Sequence, residues 1–300
     1  MTKTRWIALI STTLLVGGCG SGADGGDGKV ASQVGERATI SHIHGLGVDA
    51  HGTLFVATHD GLIKQGADGS FVYASADTND HMGFSLHPGD GVMYRSGHSP
   101  AKPSLGVQTS TDGARWMHVS DVADPPVDFH AMAVSFADSK TLWGWDSSGR
   151  GTFRSNDGGA TWARLQSHGL EPQVYVLAGS AAPKVVYAGT ASGLHRSSDG
   201  GATWERIVSG GWAIGVATDP KDPNRMLVST QSGVKATSDG GDTWSDAGGG
   251  LPPSVEIAYL TISAADGNVA YAADSSKIYK TTDGGTSWTR VPTDPSDPGP

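Results

Sequence analysis

One short phrase recurs along this chain at nearly constant spacing. Four full copies read SNDGGATW at 155–162, SSDGGATW at 197–204, TSDGGDTW at 237–244 and TTDGGTSW at 281–288. A copy one residue shorter, STDGARW, lies at 110–116, and a degenerate copy, GADGSF, lies at 66–71. Successive copies begin 44, 45, 42, 40 and 44 residues apart. A fixed period near forty residues is typical of repeat architectures, so we expect six similar units in one domain.

Each unit is predicted to be four short β-strands. In the fourth unit these are 174–180, 185–190, 193–197 and 204–208, and the phrase forms the turn before the last strand. The aspartate can accept backbone N–H groups as an Asx turn, the glycine pair allows positive φ, and the tryptophan starts a strand and packs. The phrase is therefore interpreted as structural, through Asp112, Asp157, Asp199, Asp239 and Asp283 with Trp116, Trp162, Trp204, Trp244 and Trp288.

A four-stranded unit cannot bury both faces alone, whereas units arranged radially can. The sequence therefore predicts an all-β, six-bladed β-propeller, with seven blades as the alternative. The expected blades are 42–78, 80–122, 128–168, 172–208, 211–249 and 254–292. Ring closure is expected to pair segments from both ends of the chain, with Val34 to Ile40 as an extra strand.

The first residues have the pattern of an export signal. Lys3 and Arg5 precede an apolar stretch, 6–16, which is too short to span a bilayer as a helix. It ends at VGGC, so Cys19, the only cysteine of the chain, is the predicted lipidation site. We expect a lipoprotein signal peptide at 1–18, a lipidated cysteine and flexible linker at 19–33, the propeller at 34–292 and a disordered tail at 293–300.

Charge narrows the range of partners. Removal of the leader takes away Lys3 and Arg5 and leaves a net charge of about −11. Nucleic-acid binding is therefore not expected, because its affinity comes largely from neutralising phosphates. Membrane contact is expected through the lipid on Cys19 alone, on the outer side of the cell membrane, and the domain is expected to be a monomer.

The repeated phrase resembles that of the Asp-box, or BNR, repeat superfamily across roughly residues 40–290. Sialidases, sortilin-type receptors and photosystem II assembly factors share this repeat. With the VGGC motif and the opening HIHGLGVD at 42–49, the chain is most similar to bacterial surface lipoproteins labelled glycosyl hydrolases by analogy. The resemblance implies a propeller whose Asp boxes lie on the face away from the ligand site.

Candidate site residues therefore come from the loops of the opposite face. When the first strands are aligned on their apolar cores, the residues four positions upstream are His42, Asp80, His130, Tyr175, Trp212 and Glu256. These are expected at the rim of the central channel, with His44 two residues further along, because side chains at i and i+2 share a face. His59 and His98 come from other loops of that face. Solvent-facing loops are often polar without binding anything, so this set is a hypothesis.

Three functions remain open from the sequence. The first is binding of a protein, peptide or glycan. The second is sialidase-like glycoside hydrolysis, for which Asp80, Tyr175 and Glu256 are weak catalytic candidates; the arginine motif of sialidases is not found. The third is binding of a divalent transition metal through His42 and His44, a weak pattern because a His-x-His pair completes no familiar metal site by itself.

Overall fold

The structure is a computed structural model that describes residues 33–99, 101–253 and 255–293. Its strands form six four-stranded antiparallel sheets, one for each repeat, and each sheet follows chain order from its first strand to its fourth. This is the predicted six-bladed β-propeller. Across these residues, no helix is long and apolar enough to cross a membrane. The leader, Cys19 and most of the predicted linker and tail lie outside the described residues.

The strands of the first three blades are β1 (Ile43–Val48), β2 (Leu54–Thr58), β3 (Gly61–Gln65), β4 (Phe71–Tyr73), β5 (Gly83–Leu86), β6 (Met93–Ser96), β7 (Val107–Ser110), β8 (Met117–Ser120), β9 (Phe129–Val134), β10 (Leu142–Asp146), β11 (Gly151–Ser155) and β12 (Ala163–Arg164). Those of the last three are β13 (Val176–Gly179), β14 (Val186–Thr190), β15 (Gly193–Ser197), β16 (Glu205–Val208), β17 (Ala213–Thr218), β18 (Met226–Thr230), β19 (Gly233–Thr237), β20 (Ser245–Asp246), β21 (Tyr259–Ile262), β22 (Ala270–Ala273), β23 (Ile278–Thr281) and β24 (Thr289–Val291).

The repeated phrase forms the turn between the third and fourth strand of its blade. In the third blade, Asp157 Oδ1 accepts the Thr161 backbone N–H at 2.9 Å, and Asp157 Oδ2 accepts the Thr161 hydroxyl at 2.6 Å. Ser155 Oγ accepts the Gly159 N–H at 2.9 Å. The hydrogen bonds from the Thr161 hydroxyl and backbone lower the pKa of Asp157 to about 2. The aspartates therefore hold the turns, as predicted from sequence.

Each phrase aromatic packs against the preceding blade. Trp204 of the fourth blade is buried among residues of the third, and Trp288 of the sixth among residues of the fifth. Trp116, Trp162 and Trp244 contact their preceding blades in the same way. In the degenerate copy, Phe71 takes the place of tryptophan and packs against the sixth blade. Apolar clusters thus lie at all six blade interfaces, and the phrase holds the ring together as well as forming turns.

Ring closure differs from the prediction. No sheet within the described ranges contains strands from both ends of the chain. The segment around Arg37 instead pairs with β4, where Ala38 N–H donates to the Phe71 carbonyl at 2.9 Å. The ends meet by packing of Ala38 and Ile40 in a cluster shared with the sixth blade, and by the Ile43 N–H bond to the Ser275 carbonyl at 2.9 Å. Each repeat supplies all four of its own strands, so none is left over to exchange.

Candidate functional site

The first strands of the blades surround the central channel, and their pairing sets which residues are equivalent. Val48, Leu86, Val134, Gly179, Thr218 and Ile262 occupy matching positions against the second strands. Four residues upstream of these stand His44, Met82, His130, Tyr175, Ile214 and Ala258. The predicted alignment was therefore wrong by two residues in the third and fourth blades. A shift of two keeps every side chain on the same face, so alternation alone could not detect it.

Two histidines lie at irregularities of their strands. In β1, Ile43 pairs with Thr58 and Gly45 with Ala57, so His44 is an extra, unpaired residue. His130 is the corresponding extra residue in β9. Such bulges redirect a side chain relative to the regular pleat, and they are common beside binding sites. Both histidines line the channel.

Asp80 lies at the centre of a group of histidines. Its side chain is 5% exposed, and His59 Nδ1 lies within hydrogen-bond distance of its Oδ2, at 2.6 Å. His98 Nε2 lies 3.4 Å from the same oxygen, and His44 Nε2 lies 3.4 Å from Oδ1. The backbone N–H of Asp80 donates to the His98 carbonyl at 3.0 Å and so fixes the position of Asp80 beside these histidines. Strand β1 and two loops of the first two blades thus bring three histidines to one buried carboxylate.

A second carboxylate extends this group into the third blade. Asp128 Oδ2 lies 3.3 Å from His98 Nδ1 and 3.1 Å from His130 Nε2. His98 therefore lies between Asp80 and Asp128, with one ring nitrogen near each. We call the set His44, His59, Asp80, His98, Asp128 and His130 the histidine cluster. Asp128 was missed from the sequence, although its position two residues before His130 was a usable indication.

The histidine cluster contains buried polar atoms without a hydrogen-bond partner. They are His44 Nε2, Asp80 Oδ1 and Asp128 Oδ1. Burial lowers the pKa of His44, against the attraction of the Asp80 charge. The imidazole is therefore neutral near pH 7, which is the form that can donate a lone pair. Unpaired polar atoms are costly in a folded protein and call for an explanation, such as a bound group.

A charged layer packs next to the cluster. Arg95, which is 1% exposed, makes a two-pronged pair with Asp77 at 2.9 and 2.8 Å. It also donates to Gln108 at 2.7 Å and lies 4.4 Å above the Trp116 ring. Arg95 Nη1 donates to His81 Nε2 at 2.6 Å, so the remaining proton of that ring is on Nδ1. Burial lowers the pKa of His81 to about 4, and this histidine is neutral. The layer holds the backbone that carries Asp80.

The remaining predicted residues lie in three places. His42 is exposed, has a φ of 46° and precedes β1, and its ring lies 6.1 Å from that of His59. Tyr175 lines the channel, and its side chain is exposed. Trp212 and Glu256 line a separate groove of about 640 Å³ between the fifth and sixth blades. The predicted rim is therefore divided between two sites.

Below the histidines, the channel is narrow, and most of the side chains that line it are apolar. Its cavity is about 130 Å³ and is lined by side chains such as Leu86, Met132, Leu177 and Leu260. Tyr259 also lines it, and burial with the Asp80 charge raises the pKa of this phenol to about 12. The polar groups that could recognise a ligand are therefore at the mouth of the channel.

Similarity to known proteins is found in the fold and not in the sequence. No protein-family model and no curated protein matches the chain. A xyloglucanase of family GH74 from Xanthomonas campestris is similar in structure, with a TM-score of 0.56 and 16% identity over 87% of this chain and 55% of the enzyme. A protein of unknown function from Bacteroides thetaiotaomicron has a TM-score of 0.64 and 10% identity over 84% of this chain and 72% of that protein.

A third similar structure is the extracellular domain of a B. thetaiotaomicron protein assigned as a one-component system. Its TM-score is 0.57 with 16% identity, over 89% of this chain and 36% of that protein. The chain spans about half the length of the xyloglucanase. At these identities the likeness concerns the fold alone. This chain is a six-bladed β-propeller similar in fold to GH74 enzymes and to the extracellular domain of a one-component system.

Proposed function

We propose that this protein is an extracytoplasmic binding propeller whose ligand, a protein, peptide or glycan, docks at the histidine cluster. The observation that carries the proposal is the pair of carboxylates, Asp80 and Asp128, each with an oxygen that is buried and unpartnered beside the mouth of a channel. Evolved binding sites are concave and combine apolar walls with a few convergent polar groups. The first three blades have this arrangement, and it lies at the loops opposite the repeat turns.

The repeat phrase, its turn geometry and its position support placing the chain in the Asp-box superfamily as part of this proposal. Export and a lipid anchor on Cys19 are proposed from the leader, in keeping with the extracellular location of one similar propeller. Cell fractionation should find the wild-type protein with the membrane. The Cys19→Ser variant should leave the membrane fraction, and retention there would contradict the anchor.

Glycoside hydrolysis is less well supported than binding. Glu256 lines the groove between the fifth and sixth blades, which Asp80 does not line, so the two carboxylates do not share a cavity as a catalytic pair would. Tyr259 is a second tyrosine that lines the channel beside Tyr175, and its raised pKa is the opposite of what an activated nucleophile requires. No arginine is found among the residues that line the channel in the described part of the chain. The similarity to GH74 enzymes therefore concerns the fold and does not support the same catalytic activity in this chain.

The proposal is tested with immobilised glycan and peptide arrays probed by the full chain. We expect a probe retained by wild type to be weakened at least about tenfold in Tyr175→Ala/His130→Ala, because a buried contact is worth about 1.4 kcal/mol or more. Trp212→Ala in the separate groove and His118→Ala on an outer strand serve as controls and should bind normally. Loss of probe binding in Trp212→Ala alone would show that the ligand binds in the groove and not at the histidine cluster. No retention by wild type would contradict the proposal.

A further inference from the structure

We infer that the histidine cluster holds a divalent first-row transition metal ion through His44, His59 and Asp80. The inference rests on the binding site proposed above and names one component of it. These three residues each offer a ligand atom, and the three atoms lie within 4.8 Å of one another. In the described residues, no other group of this kind is present. The predicted pair of ligands, His42 and His44, is thereby revised.

The spacing of the unpaired atoms fits an ion. Zinc binds histidine nitrogen and carboxylate oxygen at about 2.0–2.2 Å in a tetrahedron, which places two ligand atoms roughly 3.3–3.5 Å apart. His44 Nε2 and Asp80 Oδ1 are 3.4 Å apart, and both are buried without a hydrogen-bond partner. If their only role were to bond each other, they would meet in hydrogen-bond geometry. A metal ion between them would satisfy both atoms at once.

The donor set selects the class of metal. Two imidazole nitrogens and one carboxylate oxygen suit zinc and ferrous iron, whereas calcium and magnesium take oxygen ligands. Only one carboxylate belongs to the set, which also disfavours calcium. Three protein ligands leave at least one coordination position open.

The surroundings provide access and support. His59 is 55% exposed, so an ion can reach the site from solvent. His98 Nε2 lies 3.4 Å from Asp80 Oδ2, on the side of the carboxylate away from His44, where it can orient the ligand. Such outer partners are worth about 10–100-fold in metal affinity. Of the three ligands His44 lines the channel, so a donor atom of a ligand bound there could complete the coordination.

The inference is tested by titrating the EDTA-treated full chain with zinc chloride in a calorimeter, followed by metal analysis after gel filtration. We expect one zinc per chain. His59→Ala removes an exposed ligand and is expected to fold normally, and it should weaken binding more than about tenfold, since even outer partners cost that much. Asp80→Asn should do the same with almost no change in shape. His118→Ala, whose ring also pairs with a carboxylate (Asp121, 3.2 Å) but on an outer strand, should bind zinc as wild type does.

A second measurement, the Tm, distinguishes loss of a metal ligand from misfolding of a variant. Zinc should raise the Tm of wild type and of His118→Ala, and leave that of His59→Ala and Asp80→Asn almost unchanged. Absence of zinc binding in wild type overturns the inference, unless ferrous iron binds under anaerobic conditions with the same dependence on Asp80. Equal affinity in all four proteins also overturns it. If zinc does not bind but retention of the array probe still depends on Tyr175 and His130, the inferred metal site is wrong and the proposed ligand site is still supported.

Discussion

Replacing Arg95 by alanine is expected to lower the free energy of unfolding by about 3 kcal/mol, at the lower end of the range for breaking a buried ion pair. The guanidinium bonds Asp77, His81 and Gln108 and covers the Trp116 ring. Removing it leaves those partners without their donor and opens space beside them. The lower end applies because Asp77 is 34% exposed and can regain water.

Urea unfolding measures this effect, with Arg115→Ala as the matched control. Arg115 is 89% exposed and lies 3.9 Å from Asp112, so its loss should cost less than about 0.5 kcal/mol. A double-mutant cycle of Asp77→Ala with Arg95→Ala should give a coupling of at least about 1 kcal/mol. Equal effects of the two arginine variants would show that the layer next to the histidine cluster does not stabilise the fold.

Replacing Trp288 by alanine is expected to lower the free energy of unfolding by about 3–5 kcal/mol, the usual effect of removing a buried tryptophan side chain. Its side chain is buried between the fifth and sixth blades and packs with residues such as Leu227, Val234 and Tyr279. Its Nε1 donates to the Ala247 carbonyl at 2.7 Å and to the Gly285 carbonyl at 3.1 Å. Alanine would lose both bonds and leave a cavity at the interface.

Trp288→Phe separates packing from hydrogen bonding. It keeps most of the apolar volume and loses the donor, so it should cost about 1–3 kcal/mol in the same urea experiment. Trp162→Ala is a second comparison, because this tryptophan is only partly buried at its own interface and should cost less than Trp288→Ala. A Trp288→Ala variant as stable as wild type would contradict the role of the phrase aromatics in joining the blades.

Much of the fold could be predicted because the copies of the repeat can be aligned with one another within this single sequence. The phrase recurs near every forty residues, and each copy has its own turn chemistry in residues such as Asp157 and Gly159. Blade number and the four-strand unit follow from local sequence alone. The direction in which the phrase aromatics pack did not follow, because it depends on the neighbouring blade.

The histidine cluster shows the opposite case. His44, His59, Asp80, His98 and His130 were recognised as candidates from their loops, but their partners were not. His44 was paired with His42 in the sequence reasoning, whereas the fold places it beside Asp80 and His59, which are 36 and 15 residues further along the chain. Trp212 and Glu256 were assigned to the same rim and lie in another groove.

The sequence by itself determined the architecture of this protein, since turn residues and strand periodicity act over a few neighbouring positions and were repeated six times. The tertiary structure alone decided which polar residues meet. Strand bulges at His44 and His130 redirect two side chains, and a shift of two residues leaves the alternation of a strand unchanged. Contacts between loops of different blades depend on the closed ring, and no local pattern in the repeated phrase encodes them.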